Sequence, residues 1–201
     1  MGQSIGIIGA GGWGTALSKL LCEKGFEVTL WCHGEKSYQE IREKRENRSY
    51  LPGIALPISL NVTRSIQEAA FAKELLICTL PSHGVREVMR SAASHIARDT
   101  VLLCGTKGIE EGTFLTMGEV LSEILGESKK ETLAFLSGPT FAAEVAQGLP
   151  TAVTVATVAE SVGRKVQETL STQSFRVYTS KDIVGVQMNS VVKNMIAIAR
   201  D

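Results

Sequence analysis

The sequence has no excess of charge of either sign and no long hydrophobic run. Its 201 residues contain 21 Lys and Arg against 21 Asp and Glu, so the formal net charge is zero. A balanced charge does not favour broad binding to nucleic acid or to an anionic membrane surface. No apolar segment approaches the roughly 20 residues that a membrane-spanning helix needs. The sequence therefore predicts neither a nucleic-acid partner nor a membrane span.

Closely spaced cysteines and a leader segment are also lacking. The four cysteines, Cys22, Cys32, Cys78 and Cys104, are widely separated and lie in apolar stretches. Zinc sites and disulfide frameworks need shorter spacing, so we predict buried free thiols and no metal site. The chain passes from Met1 directly into a strand-like segment, with no room for a signal peptide. These features predict a cytoplasmic protein.

What the sequence has instead is an alternation of apolar runs and helical segments. Apolar, strand-like runs lie at residues 4–8, 26–31, 58–62, 74–80, 101–104, 132–136, 152–155 and 175–178. Helical spacing is found at residues 15–24, 35–44, 65–72, 82–96, 116–125, 141–146, 160–170 and 183–200. Continuous apolar strands separated by helices indicate an α/β fold with a mostly parallel sheet and helices on both faces. The stretch 45–57 contains breakers and is predicted to be irregular.

A glycine-rich turn joins the first predicted strand to the first predicted helix. Gly9, Gly11 and Gly14 form the pattern G-x-G-x-x-G. Gly9 permits a tight turn, Gly11 lets a pyrophosphate approach the backbone, and Gly14 lets the helix pack closely on the sheet. Unpaired N–H groups at the start of the helix then point towards the phosphates. The sequence therefore predicts a doubly wound, Rossmann-type domain that binds a dinucleotide.

The end of the second predicted strand indicates which dinucleotide is bound. NAD-binding sites usually place an acid there, about 20 residues after the glycines, for the ribose 2′-hydroxyl. Here the strand end has no acid, and Glu35 lies slightly beyond it. His33 and Lys36 are placed to face a 2′-phosphate, so we favour NADP over NAD. The alternative is that His33 and Lys36 are solvated loop residues.

Three other positions have residues suited to anions or to proton transfer. Lys107 follows the fifth predicted strand, where a cation can bind an anionic substrate. Gly138 and Thr140 follow the sixth, where glycine permits close approach and threonine can cap the next helix. Lys193 lies in an otherwise apolar helix, where burial beside other cations would lower its pKa and prepare a general base. The structural alternatives are ordinary strand–helix turns and a surface lysine.

Five segments, taken together, identify a family. They are GAGGWGTAL at 9–17, SYLPG at 49–53, TKGIE at 106–110, LSGPTFA at 136–142 and KNMIAIA at 193–199. In this combination and order they resemble the bacterial NAD(P)-dependent glycerol-3-phosphate dehydrogenase family. The glycine loop is common to many dehydrogenases, whereas TKGIE and LSGPTFA are more particular to this family.

The resemblance implies an activity and roles for individual residues. The activity is reversible hydride transfer between NAD(P)H and dihydroxyacetone phosphate, giving sn-glycerol 3-phosphate for phospholipid synthesis. Besides the glycines of the pattern, Gly12, Trp13, His33, Tyr50, Lys107 and Ala142 would contact the cofactor. The substrate would be contacted by Lys107, Gly138, Thr140 and Lys193. Lys193 would accept the proton when the alcohol is oxidised, and Lys107 would polarise the carbonyl in the reduction.

The resemblance also predicts a domain organisation. It divides the chain into an NAD(P)-binding domain at 1–182 and the start of a helical C-terminal domain at 183–201. Most of that second domain, which completes the substrate site in the family, is missing, so we expect cofactor binding with slow or no turnover. The resemblance is also compatible with a homodimer of the full-length protein. Two alternatives remain open: another dehydrogenase of the same fold, acting on a sugar acid or an imine, and a non-catalytic NAD(P)-binding module.

Overall fold

The computed structural model describes residues 3–198, and their side chains as far as residue 191. In the first half of the chain the elements are β1 (Ser4–Ile8), α1 (Gly12–Glu23), β2 (Glu27–Trp31), α2 (Glu35–Lys44), β3 (Glu46–Asn47), β4 (Leu51–Ala55), β5 (Asn61–Thr63), α3 (Ile66–Ala70), β6 (Leu75–Cys78) and α4 (Ser82–Ala93). In the second half they are β7 (Val101–Cys104), α5 (Met117–Leu125), a 3-10 turn (Glu127–Thr132), β8 (Leu133–Ser137), α6 (Ala142–Ala146), β9 (Thr151–Ala156), α7 (Glu160–Leu170), β10 (Phe175–Ser180) and α8 (Ile183–Ile198).

Eight of the strands form one sheet in the order β10-β9-β8-β7-β6-β1-β2-β5. All neighbouring strands in this sheet are parallel except β8 and β9, which are antiparallel. From β1 the chain adds strands first on one side, with β2 and β5, and then on the other, with β6 and β7. A crevice for ligands opens at such a reversal, outside the carboxyl ends of the strands. The predicted Rossmann-type, mostly parallel fold is confirmed.

Two apolar cores cover the two faces of the sheet. Because side chains alternate along a strand, Ile5 and Ile7 of β1 enter one core, with α1 and α7, and Ile8 enters the other, with α3, α4 and α5. The four central strands β1, β6, β7 and β8 are therefore buried almost throughout. This explains why their sequences are continuous apolar runs rather than alternating ones.

The four cysteines are buried and free, as predicted. Among the side chains that the structure describes, those of residues 3–191, no group of three or more His, Cys, Asp or Glu is arranged to hold a metal ion. None of the helices in this range combines the length and apolar character that crossing a membrane requires.

The stretch 45–57 is not irregular, and this prediction is wrong. It contains the antiparallel pair β3–β4, with Glu46 opposite Ala55. Pro52 is tolerated in a two-stranded ribbon because one side of each strand needs no partner. Gly53 has a φ of 78° and donates its N–H to Glu46 Oε1 at 2.9 Å. Tertiary contacts and this side-chain bond thus organise a segment whose breakers suggested a loop.

Some predicted boundaries also differ. Helix α1 begins at Gly12 instead of residue 15, so half of the glycine pattern lies in the first helical turn. The predicted strand at 58–62 is reduced to β5, Asn61–Thr63, at the edge of the sheet. In contrast, Ser65 caps α3 as expected, since its Oγ accepts the Glu68 N–H at 3.3 Å.

Candidate functional site

The glycine loop between β1 and α1 has the geometry that its pattern predicts. Gly9 has a φ of 119°, which side-chain-bearing residues rarely adopt. A Cβ at Gly14 would lie 1.9 Å from the Gly9 carbonyl oxygen, so the helix packs against the strand end as only glycine allows. The Thr79 hydroxyl donates to the same carbonyl at 3.0 Å and fixes the turn from the neighbouring strand. The structural roles of Gly9 and Gly14 are confirmed.

Gly11 differs from its neighbours because the space beside it is open. It is the N-cap of α1, and a Cβ there would meet no described atom within 4 Å. Among the described residues no side chain caps this helix, and its first turn contains no acid. The first N–H groups of a helix attract anions. The residues present therefore fit the diphosphate of a dinucleotide at this turn.

Two predicted cofactor residues lie beside Gly12, in the first turn of α1. A Cβ at Gly12 would lie 2.8 Å from the Tyr50 carbonyl oxygen and 3.4 Å from the Ala142 Cβ. The β3–β4 hairpin and α6 therefore both adjoin the helix N-terminus. Tyr50 keeps 60% of its surface exposed, so its ring is available to a ligand. Residues that are far apart in sequence are thus brought to one end of α1.

Asn47 is a site residue that the sequence analysis missed. Its side chain is fully buried, and Nδ2 donates to the Ala10 carbonyl at 2.9 Å and to the Thr15 hydroxyl at 2.8 Å. These bonds attach the hairpin to both ends of the glycine turn. A single asparagine in a polar stretch has no pattern that predicts this contact.

Trp13 extends the site towards the next strands of the sheet. A Cβ at Gly105, which follows β7, would lie 3.1 Å from the indole Nε1. On its other side the Trp13 ring is tilted against Phe175, with ring centroids 6.4 Å apart. Trp13 is therefore fixed by packing between the glycine loop, the β7 end and β10.

The loop that contains Lys107 is held by contacts on both sides of that residue. Thr106 is buried, and its hydroxyl lies 3.6 Å from the Cys78 sulfur. Gly108 has a φ of 113° and packs against Ser82 at the start of α4. Lys107 itself is half-buried between these anchors. Its backbone is therefore positioned at the carboxyl end of β7, where we predicted an anion-binding cation.

Glu110, in the same TKGIE segment, has a structural role. Arg86 of α4 binds it with two bonds, Nε to Oε1 at 2.7 Å and Nη2 to Oε2 at 2.8 Å. The Thr113 hydroxyl donates to Oε2 at 2.6 Å. The bonds from Arg86, with help from Thr113, lower the pKa of Glu110 to about 2. The carboxylate thus ties the loop to α4.

Gly138 and Thr140 lie in the turn between β8 and α6. A Cβ at Gly138 would lie 2.8 Å from the Ala152 carbonyl oxygen, so close approach to β9 already requires glycine here. Thr140 is buried. The prediction that Thr140 caps the next helix is wrong, because the N-cap of α6 is Phe141. The reason is that α6 is a short helix that begins one residue later.

A narrow crevice separates the Lys107 loop from α8. Its lining includes Thr106 and Gly108 on one side and Gln187 and Ser190 on the other. Gln187 Oε1 accepts the N–H of Gly118 at 2.8 Å, which fixes α8 against α5. Lys193 lies further along the same helix, and its side chain is outside the described residues. The structure therefore brings the Lys107 loop and the Lys193 helix to a common crevice.

His33 follows β2, and the end of that strand lies beside Gly9, at the start of the glycine loop, whereas Tyr50 and Ala142 adjoin Gly12. His33 is exposed, and its ring is edge-on to Trp31 with centroids 5.6 Å apart. Gly9 N–H donates to the Trp31 carbonyl at 3.3 Å, so the β2 end adjoins the glycine turn. Glu35 and Lys36 are exposed in the first turn of α2. An acid, a histidine and a lysine thus share the position where a dinucleotide-binding fold holds the adenosine ribose.

Comparison with known proteins places this chain among dehydrogenases. The family model described as NAD-dependent glycerol-3-phosphate dehydrogenase N-terminus matches residues 4–163. The glycerol-3-phosphate dehydrogenase [NAD(P)+] of Syntrophotalea carbinolica is 44% identical over 98% of this chain. That of Citrifermentans bemidjiense is 44% identical over 99% of it.

A solved structure gives the same result. The crystal structure of glycerol-3-phosphate dehydrogenase from Coxiella burnetii superposes on 98% of this chain with a TM-score of 0.91 and 34% sequence identity. The alignment covers 60% of that structure. Likewise, the present chain spans 59% of the length of the two bacterial relatives.

Proposed function

The chain belongs to the NAD-dependent glycerol-3-phosphate dehydrogenase family, and we propose that it is the cofactor-binding part of an enzyme that reduces dihydroxyacetone phosphate to sn-glycerol 3-phosphate. The product would serve glycerophospholipid synthesis. The observation that carries the proposal is the first turn of α1, open in front of Gly11 and adjoined by Tyr50 and Ala142 at Gly12. The chemistry of that turn suits a diphosphate, and the family supplies the reaction.

The proposed cofactor contacts combine the glycine loop with the side chains around it. They are Gly9, Gly11, Gly12, Trp13, Gly14, His33, Tyr50, Lys107 and Ala142. When bound, the nicotinamide would supply or accept the hydride. The task of the protein is to bind the diphosphate through backbone amides and to hold Trp13 and Tyr50 beside it.

The proposed substrate contacts are Lys107, Gly138, Thr140 and Lys193. A ketone that accepts hydride also needs a proton and stabilisation of the negative charge on its oxygen. We assign the proton to Lys193, which would accept it in the reverse reaction, and polarisation of the carbonyl to Lys107. The loop that contains Lys107 and the helix that contains Lys193 border the same narrow crevice, and this proximity of the two segments supports assigning both lysines to one site.

Several finer points belong to the same proposal. We favour NADPH over NADH, because His33 and Lys36, which can bind a 2′-phosphate, follow the β2 end. We place the domain boundary between residues 182 and 183; β10 ends at Ser180 and α8 begins at Ile183. We also propose that the full-length protein is cytoplasmic. We propose that it forms a homodimer, and light scattering after size exclusion would test this by measuring its molar mass.

The direct test is steady-state kinetics on the full-length protein with dihydroxyacetone phosphate and NADPH. Lys193→Ala should lower kcat by about 10²- to 10⁴-fold, the usual contribution of a proton-transfer group, with little change in NADPH affinity. Lys165→Ala, which changes a partly exposed lysine on α7, is the matched control and should keep full activity.

Other outcomes would favour the alternatives. Turnover of a sugar acid or an imine, but not of dihydroxyacetone phosphate, would assign the chain to a different dehydrogenase reaction. Cofactor binding without any turnover in the full-length protein would indicate a non-catalytic module. For the 201-residue chain we expect cofactor binding with slow or no turnover, and family-like turnover would contradict that expectation.

A further inference from the structure

Arg64 lies beside the β2 end, although it is 31 positions after His33 in the sequence. Strand β5 runs parallel to β2, with Thr63 opposite Trp31. Arg64 follows the end of β5 and His33 follows the end of β2, so the two residues lie after neighbouring strand ends. Two bonds fix this arrangement. Cys32 N–H donates to the Thr63 carbonyl at 2.9 Å, and Trp31 Nε1 donates to the Arg64 carbonyl at 3.0 Å.

The side chain of Arg64 forms an ion pair with Glu35. Arg64 Nη1 donates to Glu35 Oε2, and the two side chains are each about half exposed, at 49% and 50%. The other carboxylate oxygen of Glu35 accepts from Gln39 Nε2 at 2.9 Å, one turn further along α2. Glu35 is thus held on its helix, while Arg64 reaches across from the end of β5.

The two members of this pair have opposite preferences for the group at the ribose 2′ position. A carboxylate accepts a hydrogen bond from a 2′-hydroxyl and repels a 2′-phosphate. A guanidinium binds a phosphate with two bonds and gains little from a hydroxyl. In dinucleotide-binding folds an acid or an arginine at this place makes the same distinction.

We propose that the Glu35–Arg64 pair selects between NADPH and NADH, an inference that rests on the proposed cofactor site. With NADPH, Arg64 exchanges Glu35 for the 2′-phosphate; with NADH, Glu35 receives the 2′-hydroxyl and keeps Arg64. The exchange costs little, because a half-exposed ion pair contributes little to stability. His33 and Arg64 then approach the 2′ position from neighbouring strand ends.

Binding measurements on single variants test this selector. We would titrate the chain with NADPH, NADH, 2′,5′-ADP and 5′-AMP by calorimetry, since the last two ligands differ at the 2′ position alone. Arg64→Gln should lower the affinity for NADPH and 2′,5′-ADP by about tenfold or more, the loss expected for a charged hydrogen bond. The affinities for NADH and 5′-AMP should change by less than about twofold. Glu35→Gln should raise the affinity for NADPH several-fold and lower the affinity for NADH.

Arg164→Gln is the matched control, because Arg164 forms a comparable exposed ion pair with Glu160 on α7. It should leave all four affinities unchanged. If Arg64→Gln lowers the affinities for NADPH and NADH equally, or changes neither, the pair does not select the cofactor. That result would leave the proposed cofactor site itself unaffected. A folded wild-type chain that binds none of the four ligands would contradict the proposed cofactor site itself.

Discussion

Asn47 donates a 2.8 Å hydrogen bond to the Thr15 hydroxyl, and this bond joins the β3–β4 hairpin to helix α1. A second bond, to the Ala10 carbonyl, holds the glycine turn from the same side. Because the hairpin also brings Tyr50 to Gly12, the position of one predicted cofactor residue depends on a buried amide. Stability and cofactor binding should therefore be coupled at Asn47.

Replacing Asn47 tests this coupling. Asn47→Ala removes both bonds and leaves their acceptors buried, so we expect a loss of about 1–3 kcal/mol in the free energy of unfolding. NADPH affinity should fall as well. Urea denaturation and calorimetry measure the two effects. Asn61→Ala, at an exposed asparagine of β5, is the control. Unchanged stability in Asn47→Ala would show that the hairpin is held by other contacts.

Gly14 should tolerate no side chain. Gly14→Ala places a methyl group 1.9 Å from the Gly9 carbonyl oxygen and 2.5 Å from the Thr79 hydroxyl, so the Gly9 backbone and the Thr79 side chain must move. We expect destabilisation of about 1–3 kcal/mol or more, the usual cost of overpacking. Thermal unfolding measures it, and Gly34→Ala, where a Cβ meets nothing within 4 Å, is the control. Equal midpoints in the two variants would contradict the close packing of α1 on β1.

The carboxylate of Glu110 should make the fold sensitive to acid. Its pKa is about 2 in the folded chain against the ordinary 4.5, chiefly because Arg86 binds it. A lowered pKa stabilises the folded state above about pH 4.5, and this contribution disappears as the pH falls towards 2. In Glu110→Gln, the unfolding midpoint should be lower at neutral pH and should fall less between pH 4.5 and 2.

Thermal unfolding across this pH window measures the effect of Glu110. Glu127→Gln is a suitable control, because Glu127 is largely exposed and its only ion pair in the described part of the chain, with Lys130, is 3.7 Å long. The control should keep the pH dependence of the wild type. If Glu110→Gln also keeps it, the Arg86–Glu110 bond does not stabilise the loop.

The cysteines should be unreactive while the chain is folded. Burial raises the pKa of Cys22 to about 11 and that of Cys32 to about 12, so neither forms much thiolate near neutral pH. Cys78 and Cys104 are fully buried on neighbouring strands. We expect Ellman's reagent to titrate no thiol of the native chain and four thiols after unfolding in guanidinium. Rapid reaction in the native state would contradict the burial of at least one cysteine.

The sequence predicted the parts of the fold that depend on neighbouring residues. Strands β1 and β7 were found because buried parallel strands are continuous apolar runs, and the glycine pattern predicted the turn between β1 and α1. The β3–β4 hairpin was missed because Pro52 and Gly53 suggest a loop, whereas the pairing depends on Glu46 and on packing against α1. Local propensity is weak where tertiary contacts decide.

The residues of the candidate site likewise fall into those that the sequence predicted and those that it did not. Gly9 and Gly14 were predicted with their mechanical roles, since both act on the adjacent backbone. Asn47 and Arg64 were not, because each acts on a partner about 30 residues away, Thr15 and Glu35 respectively. Such pairs form only once the chain is folded, when the β3–β4 hairpin packs on α1 and the end of β5 lies beside α2. The roles of Lys107 and Lys193 come from the family resemblance, and they remain predictions.

The central claim is that the open amides in front of Gly11 bind the diphosphate of a nicotinamide dinucleotide, and one comparison tests it directly. Calorimetric titration of the wild-type chain and of Gly11→Ala with NADPH and NADH measures affinity, and thermal unfolding of both confirms the fold. We predict that the wild type binds and that Gly11→Ala, equally stable, binds about tenfold or more weakly, because its methyl group occupies the phosphate approach. A folded wild type that binds neither nucleotide at millimolar concentration, or a variant with unchanged affinity, would contradict the account.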